Sequence, residues 1–172
     1  MGHIVPRCLF VTGLLAGSWG ISATWVPHTL KQRAQQADRV ALVQVQSQRV
    51  EETGGAIPLK TLTVVRVERD VRGGGPREVT IVQLGGRRGL TVMEIPGDAT
   101  FRVGERAVVF LRCRLTADRC HLVALGQGKL PMHGDEVEVF DLFTQLRSRR
   151  SLDSMLKELS LDVLLAPITV SP

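Results

Sequence analysis

The sequence predicts a mainly β fold, a small barrel or sandwich with a short helix at each end. Apolar, β-prone segments follow one another through the middle of the 172-residue chain. Glycine- or proline-bearing turns separate them, as in all-β domains. Helical periodicity occurs only near the two ends. Short strands in this arrangement bury their apolar faces by closing a sheet on itself or pairing two sheets.

The elements follow in order. Thr29 to Ala37 reads as a short amphipathic helix, with Thr29 as N-cap and Leu30, Ala34 and Ala37 on one face. Asp38 ends it. Val40 to Val50 alternates as a long strand, with Val43, Val45 and Ser47 on one side. Glu51 to Pro58 is a loop hinged at Gly54-Gly55. Leu59 to Val71 is a second long strand, expected to pair with the first as a hairpin. After the Arg72–Arg77 connection, Glu78 to Leu84 is a third strand. Gly85 to Gly89 reads as a turn, and Leu90 to Ile95 as a fourth strand. Pro96 to Gly104 is a loop in which Phe101 is expected to plug the core. Ala107 to Arg114 and Cys120 to Leu125 form a hairpin around a short turn. Gly126 to Gly128 is a further turn, and Lys129 to Met132 with Glu136 to Phe140 make two short strands. Ser151 caps a last helix in which Leu152, Met155, Leu156 and Leu159 recur at helical spacing; Pro167 stops any continuation. The expected organisation is therefore an export signal at 1–23, a barrel domain at 24–146 and a helical tail at 147–172.

The N-terminal segment has the layout of a secretory signal peptide. Arg7 follows the amino terminus, Cys8 to Ala16 is apolar, and small residues lead to Ala23, the preferred cleavage point, with Gly20 as the alternative. The competing reading is an uncleaved anchor, since the uncharged run from Cys8 to Val26 approaches the roughly 20 residues of a membrane helix. Contact with a membrane is expected only in that case. Cleavage removes Cys8 and leaves an even pair, Cys113 and Cys120. In an exported chain that pair reads as a disulfide pinning a hairpin. A metal site built on Cys113, Cys120 and His121 would need His133 or Asp135 as a fourth ligand, and its spacing matches no common zinc knuckle.

The order of turns resembles a group of uncharacterised exported bacterial proteins. The matching stretches are Ala23-Thr24-Trp25, Ala37-Asp38-Arg39-Val40, Gly85-Gly86, Ile95-Pro96-Gly97, Phe101-Arg102-Val103-Gly104-Glu105-Arg106 and Gly126-Gln127-Gly128-Lys129. The layout is more distantly similar to netrin-like domains, which include the tissue inhibitors of metalloproteinases and fold as OB barrels. Those inhibitors hold zinc through an N-terminal cysteine, which this chain lacks near Ala23, so the resemblance implies a small OB-like Greek-key barrel with short flanking helices and not that mechanism. Its motif residues, Asp38, Gly85, Gly86, Pro96, Gly97, Gly104, Glu105, Gly126 and Gly128, are turn-forming and imply structural roles.

Composition and spacing narrow the chemistry. Gly126-Gln127-Gly128-Lys129 is not a phosphate loop, because Val123 and Leu130 stand where that motif needs Gly and Ser or Thr. No nucleophile elbow occurs. Adjacent carboxylates, Glu51-Glu52 and Asp135-Glu136, point to opposite faces of an extended chain. The net charge of +5 is dispersed, and five Phe, two Trp and no Tyr leave little for base stacking. The expectation is an exported, secreted or periplasmic, non-enzymatic domain without cofactor or metal. It binds a protein or envelope component and no nucleic acid. The alternative is an inhibitor or accessory factor of an extracellular protease.

Overall fold

A computed structural model describes residues 27–116, 118–141 and 146–164. The expected export segment, the Ala23-Thr24-Trp25 stretch and Pro167 lie outside them. Helix α1 spans Leu30–Gln36. Thr29 caps it with a reciprocal box: its hydroxyl accepts the Gln32 N–H, and the Gln32 side chain accepts the Thr29 N–H.

β1 (Arg39–Glu52) and β2 (Leu59–Arg72) form the expected antiparallel hairpin. Three register shifts break their ladder, and bulges of this kind add the curvature a barrel needs. β3 (Glu78–Leu84) lies antiparallel to β2. The stretch read as a turn and then a fourth strand is instead a small ribbon, β4 (Gly86–Arg88) paired with β5 (Thr91–Met93). Only Gly89 and Leu90 turn, with Gly89 in the left-handed region at φ +58°.

β6 (Arg106–Thr116) closes the barrel by pairing its first half with the start of β1, from Arg106 opposite Gln44 to Leu111 opposite Arg39. β7 (Arg119–Leu122) pairs antiparallel with β6 and parallel with β3. The order β1-β2-β3-β7-β6-β1 is a closed five-stranded barrel of OB-like form. β7 stops earlier than the apolar run suggests, because Ala124 and Leu125 turn left-handed and start a 3₁₀ turn at Leu125–Gly128.

β8 (Lys129–His133) uses the β6 edge opposite β1, and β9 (Glu136–Asp141) and β10 (Leu146–Ser151) extend it. The 146/147 boundary therefore falls at the start of a strand, and the first residues of the expected helical tail are sheet. Arginines at 147, 149 and 150 hid that strand, because a fully exposed strand carries no apolar alternation. α2 (Leu152–Leu164) follows, with the Ser154 N–H donating to the Ser151 hydroxyl.

The chain builds two cores on the two faces of the same strands. Ala41, Val43 and Val45 of β1 and Ala107, Val109 and Leu111 of β6 face the barrel interior, where Phe101 closes the packing. The intervening Val40, Leu42, Val108 and Phe110 face outward, under Ala34 and Ala37 of α1 and Met155, Leu156 and Leu159 of α2. Burial on both faces is the physical reason the 107–111 segment is an unbroken apolar run. Phe110 is fully buried, worth about 1.5–3 kcal/mol for its side chain.

Cys113 and Cys120 are joined, with Cα atoms 4.2 Å apart. The β6–β7 register dictates it: Arg112 faces His121, so the next pair along the hairpin is the two cysteines. A disulfide fits an extracellular or periplasmic location. Among the described residues no helix is long and apolar enough to cross a membrane.

Candidate functional site

One end of the barrel carries a cleft of about 430 Å³ between the C-terminal end of β3 and the 93–101 loop. Its floor is Gln83, which donates from Nε2 to the Ala99 carbonyl oxygen at 2.7 Å. Its walls include Leu84, Gly85, Gly86, Met93 and Ile95. Glu94 and Asp98 are the ionisable groups on its lining.

Two glycines set how closely the ribbon approaches. A β-carbon on Gly85 would lie 2.4 Å from the Met93 carbonyl oxygen, and one on Gly86 would meet Thr61 and Val50 below 3.0 Å. Both also take positive φ. The Gly85 N–H donates to the Leu59 carbonyl (2.8 Å), and Arg88 lies 3.5 Å from Glu52. The ribbon therefore sits against the far end of the β1–β2 hairpin.

That end carries apolar side chains in water. Leu90 at the ribbon tip is 103% exposed, Val92 and Leu84 are each 46% exposed, and Ile57 of the β1–β2 loop is 38% exposed. Backbone groups are on offer as well. Gly85 points its N–H toward β2, so alternation directs the Leu84 N–H and carbonyl to the opposite edge. The preceding residues of that row have partners: the Thr80 N–H donates to the Asp118 carbonyl, and His121 Nδ1 donates to the Val82 carbonyl at 3.0 Å. The parallel pairing with β7 covers only Thr80 and Ile81, which leaves the Leu84 edge facing the cleft.

A second cleft, about 260 Å³, lies on the other side of Asp98, Ala99 and Thr100. Arg33, Gln127, Lys129, Leu130, Phe140 and Arg147 are among its lining. Gly126 and Gly97 bring its two walls together, with the Gly126 N–H donating to the Gly97 carbonyl at 2.9 Å. A β-carbon on Gly126 would stand 2.5 Å from that same oxygen.

The sequence-singled residues thus fall into groups. Gly85 and Gly86 line the first cleft, Gly126 lines the second, and Pro96-Gly97 begins the loop between them. Gly128 packs against Val123, where a β-carbon would meet the carbonyl oxygen at 2.3 Å. Gly104 (φ +83°) and Glu105 turn the chain into β6. The Gly104 N–H donates to Val45 and the Glu105 carboxylate pairs with Lys129 at 2.6 Å. Asp38 sits apart, its carboxylate accepting the Cys113 N–H at 2.9 Å beside the disulfide. His133 and Arg147 both reach Glu138, at 3.1 and 2.7 Å. Burial raises the Glu138 pKa, but the hydrogen bonds from His133 and Arg147 outweigh it and hold the carboxyl below its ordinary value. Among the described residues no group of three His, Cys, Asp or Glu side chains is close enough to hold a metal ion.

Sequence reasoning missed Leu90, Gln83 and Arg33. For Arg33 a signal existed: it stands at i+3 from Leu30, on the face that Ala34 and Ala37 make apolar. No protein-family model matches the chain, and no curated protein matches it.

Proposed function

We propose that this chain is an exported, non-enzymatic binding domain that holds an extended segment of a partner protein at the open end of its barrel. The carrying observation is exposed Leu84 on the lining of a cleft bordered by the β3 edge, with Leu90 and Val92 exposed on the adjoining ribbon and Ile57 exposed on the β1–β2 loop. Exposed apolar patches on otherwise polar domains mark interaction sites. An open edge recognises extended polypeptide by main-chain hydrogen bonds, while flanking pockets take alternate side chains.

Export is supported by the N-terminal pattern of charge, apolar run and small residues, and it agrees with the disulfide. The test is capture of envelope proteins on the immobilised chain at near-physiological salt. The expected result is one retained protein that is lost with Leu90→Asp while the variant keeps the wild-type circular dichroism spectrum. Equal retention by wild type and variant would place binding elsewhere and reject this reading.

A further inference from the structure

The second cleft holds a buried cation that has no ion-pair partner among the described residues. Arg33 is 5% exposed. Its Nε donates to the Thr29 carbonyl at 3.4 Å and its Nη1 to the Gln127 carbonyl at 2.7 Å. The guanidinium carbon lies 5.5 Å from the centre of the Phe110 ring. Burial pushes its pKa down to about 10, with no opposing carboxylate contribution. Among the described residues Arg33 has no ion-pair partner, and Nη2 has no acceptor. Every fully buried side-chain nitrogen and oxygen among them does have a partner, so Nη2 must reach open space. The space that Arg33 lines is this cleft.

The neighbouring cations are already matched. Lys129 pairs with Glu105 at 2.6 Å, and Arg147 with Glu138 at 2.7 Å. Asp98 accepts the Ala99 N–H at 2.7 Å. A buried cation without a counter-ion costs stability, which an incoming anion relieves.

We propose that the cleft binds a monocarboxylate through Arg33, with the ligand's apolar part against Leu130, Pro131 and Phe140. Among the described residues Arg33 is the one cation of the lining left without a carboxylate, so the site suits a single negative charge. Glu138 and Asp98 on the lining oppose a dianion such as phosphate. Nη2 offers a charge-assisted N–H donor to one carboxylate oxygen. At about 260 Å³ the cleft is below the usual range for drug-sized ligands, so it takes a small acid or the carboxyl terminus of a peptide. This site is independent of the apolar barrel end.

The test is a nuclear magnetic resonance titration of the full chain, read on the Arg33 Nε–Hε signal. The probes are benzoate, benzamide, inorganic phosphate, and the tripeptide Ala-Ala-Phe with a free or amidated carboxyl terminus. Benzoate is expected to give a saturable shift, benzamide none, and phosphate binding about tenfold weaker or more. If the free tripeptide binds more tightly than benzoate and its amide does not bind, the natural source is a peptide terminus; the reverse order assigns a small acid. Arg33→Met should weaken benzoate about tenfold or more. Arg147→Glu changes an exposed side chain at the mouth, leaves Glu138 paired with His133, and should weaken benzoate several-fold in a folded protein, which keeps the test decisive if the Arg33 variant does not fold. No saturable benzoate shift, equal shifts from benzoate and benzamide, or undiminished binding to Arg147→Glu would overturn the proposal.

Discussion

Reducing the Cys113–Cys120 bond should lower stability without unfolding the barrel. The cysteines are 7 residues apart, so the bond closes a short loop. Chain-entropy reasoning for a loop of that length gives about 2.4 kcal/mol. For a chain of this size each kcal/mol moves the Tm by about 2–4 °C, so the expected drop is about 5–10 °C. The fold should survive because the hairpin has other anchors. The Asp38 carboxylate holds the Cys113 N–H, and the Leu111 carbonyl accepts the Asp38 N–H at 2.9 Å. The barrel closure itself uses Arg106 to Leu111, before the bond. The assay is thermal melting by circular dichroism with and without a phosphine reductant. Reduction is preferable to substitution because Cys120 is fully buried and its truncation would add a cavity effect. Thiol titration should find neither Cys113 nor Cys120 free before reduction. Free thiols from that pair, an unchanged Tm, or collapse of the far-ultraviolet spectrum on reduction would each refute the reasoning.

Two further outcomes follow from the ion pairs. Arg39 is 3% exposed and donates to both Asp70 oxygens at 2.6 and 3.0 Å, so Asp70→Ala leaves a buried guanidinium without its carboxylate, with the Pro76 carbonyl still accepting from Nη1 at 3.0 Å. That change should cost about 3 kcal/mol in urea unfolding, and a cost below about 1 kcal/mol would contradict it. Glu138 has a folded pKa below its ordinary 4.5, so its contribution is complete above 4.5 and is lost as pH falls through the lower folded value. Wild type should therefore lose its stability advantage over Glu138→Gln as acid unfolding is followed downward from pH 4.5, and a pH-independent difference there would contradict the assignment.

The barrel was legible because period-two alternation and turn glycines are local signals. The β1–β2 hairpin, β3, the disulfide pair and the Thr29-capped helix all follow from residues close together in the chain. What was not legible depends on distant partners. Nothing local says that Arg39 to Gln44 pairs with Arg106 to Leu111, yet that contact closes the barrel. The β4–β5 ribbon was read as a turn plus a strand because three-residue strands are too short to show a period. β10 was hidden by its arginines.

The site was less legible than the fold. The turn glycines at 85, 86, 97 and 126 were visible as turns, but the close approaches of Gly86 to Thr61 and of Gly126 to Gly97 come from pairs far apart in sequence. Leu90 gave only the weak signal of an apolar residue beside a turn glycine. Arg33 broke the apolar face of its helix, a signal with a physical meaning: a charge at a core-facing position needs a reason to be there.

The place where a partner docks can be probed from two ends of the molecule. α2 covers the start of β1, and the ribbon sits at its other end, so Lys157 and Leu90 sample opposite ends of the molecule. A photo-reactive residue placed at either position, followed by illumination in intact envelopes, tests the claim directly. The expected result is one cross-linked protein from position 90 and none from position 157. Equal cross-linking from both, or from 157 alone, would contradict a docking site at the open end of the barrel.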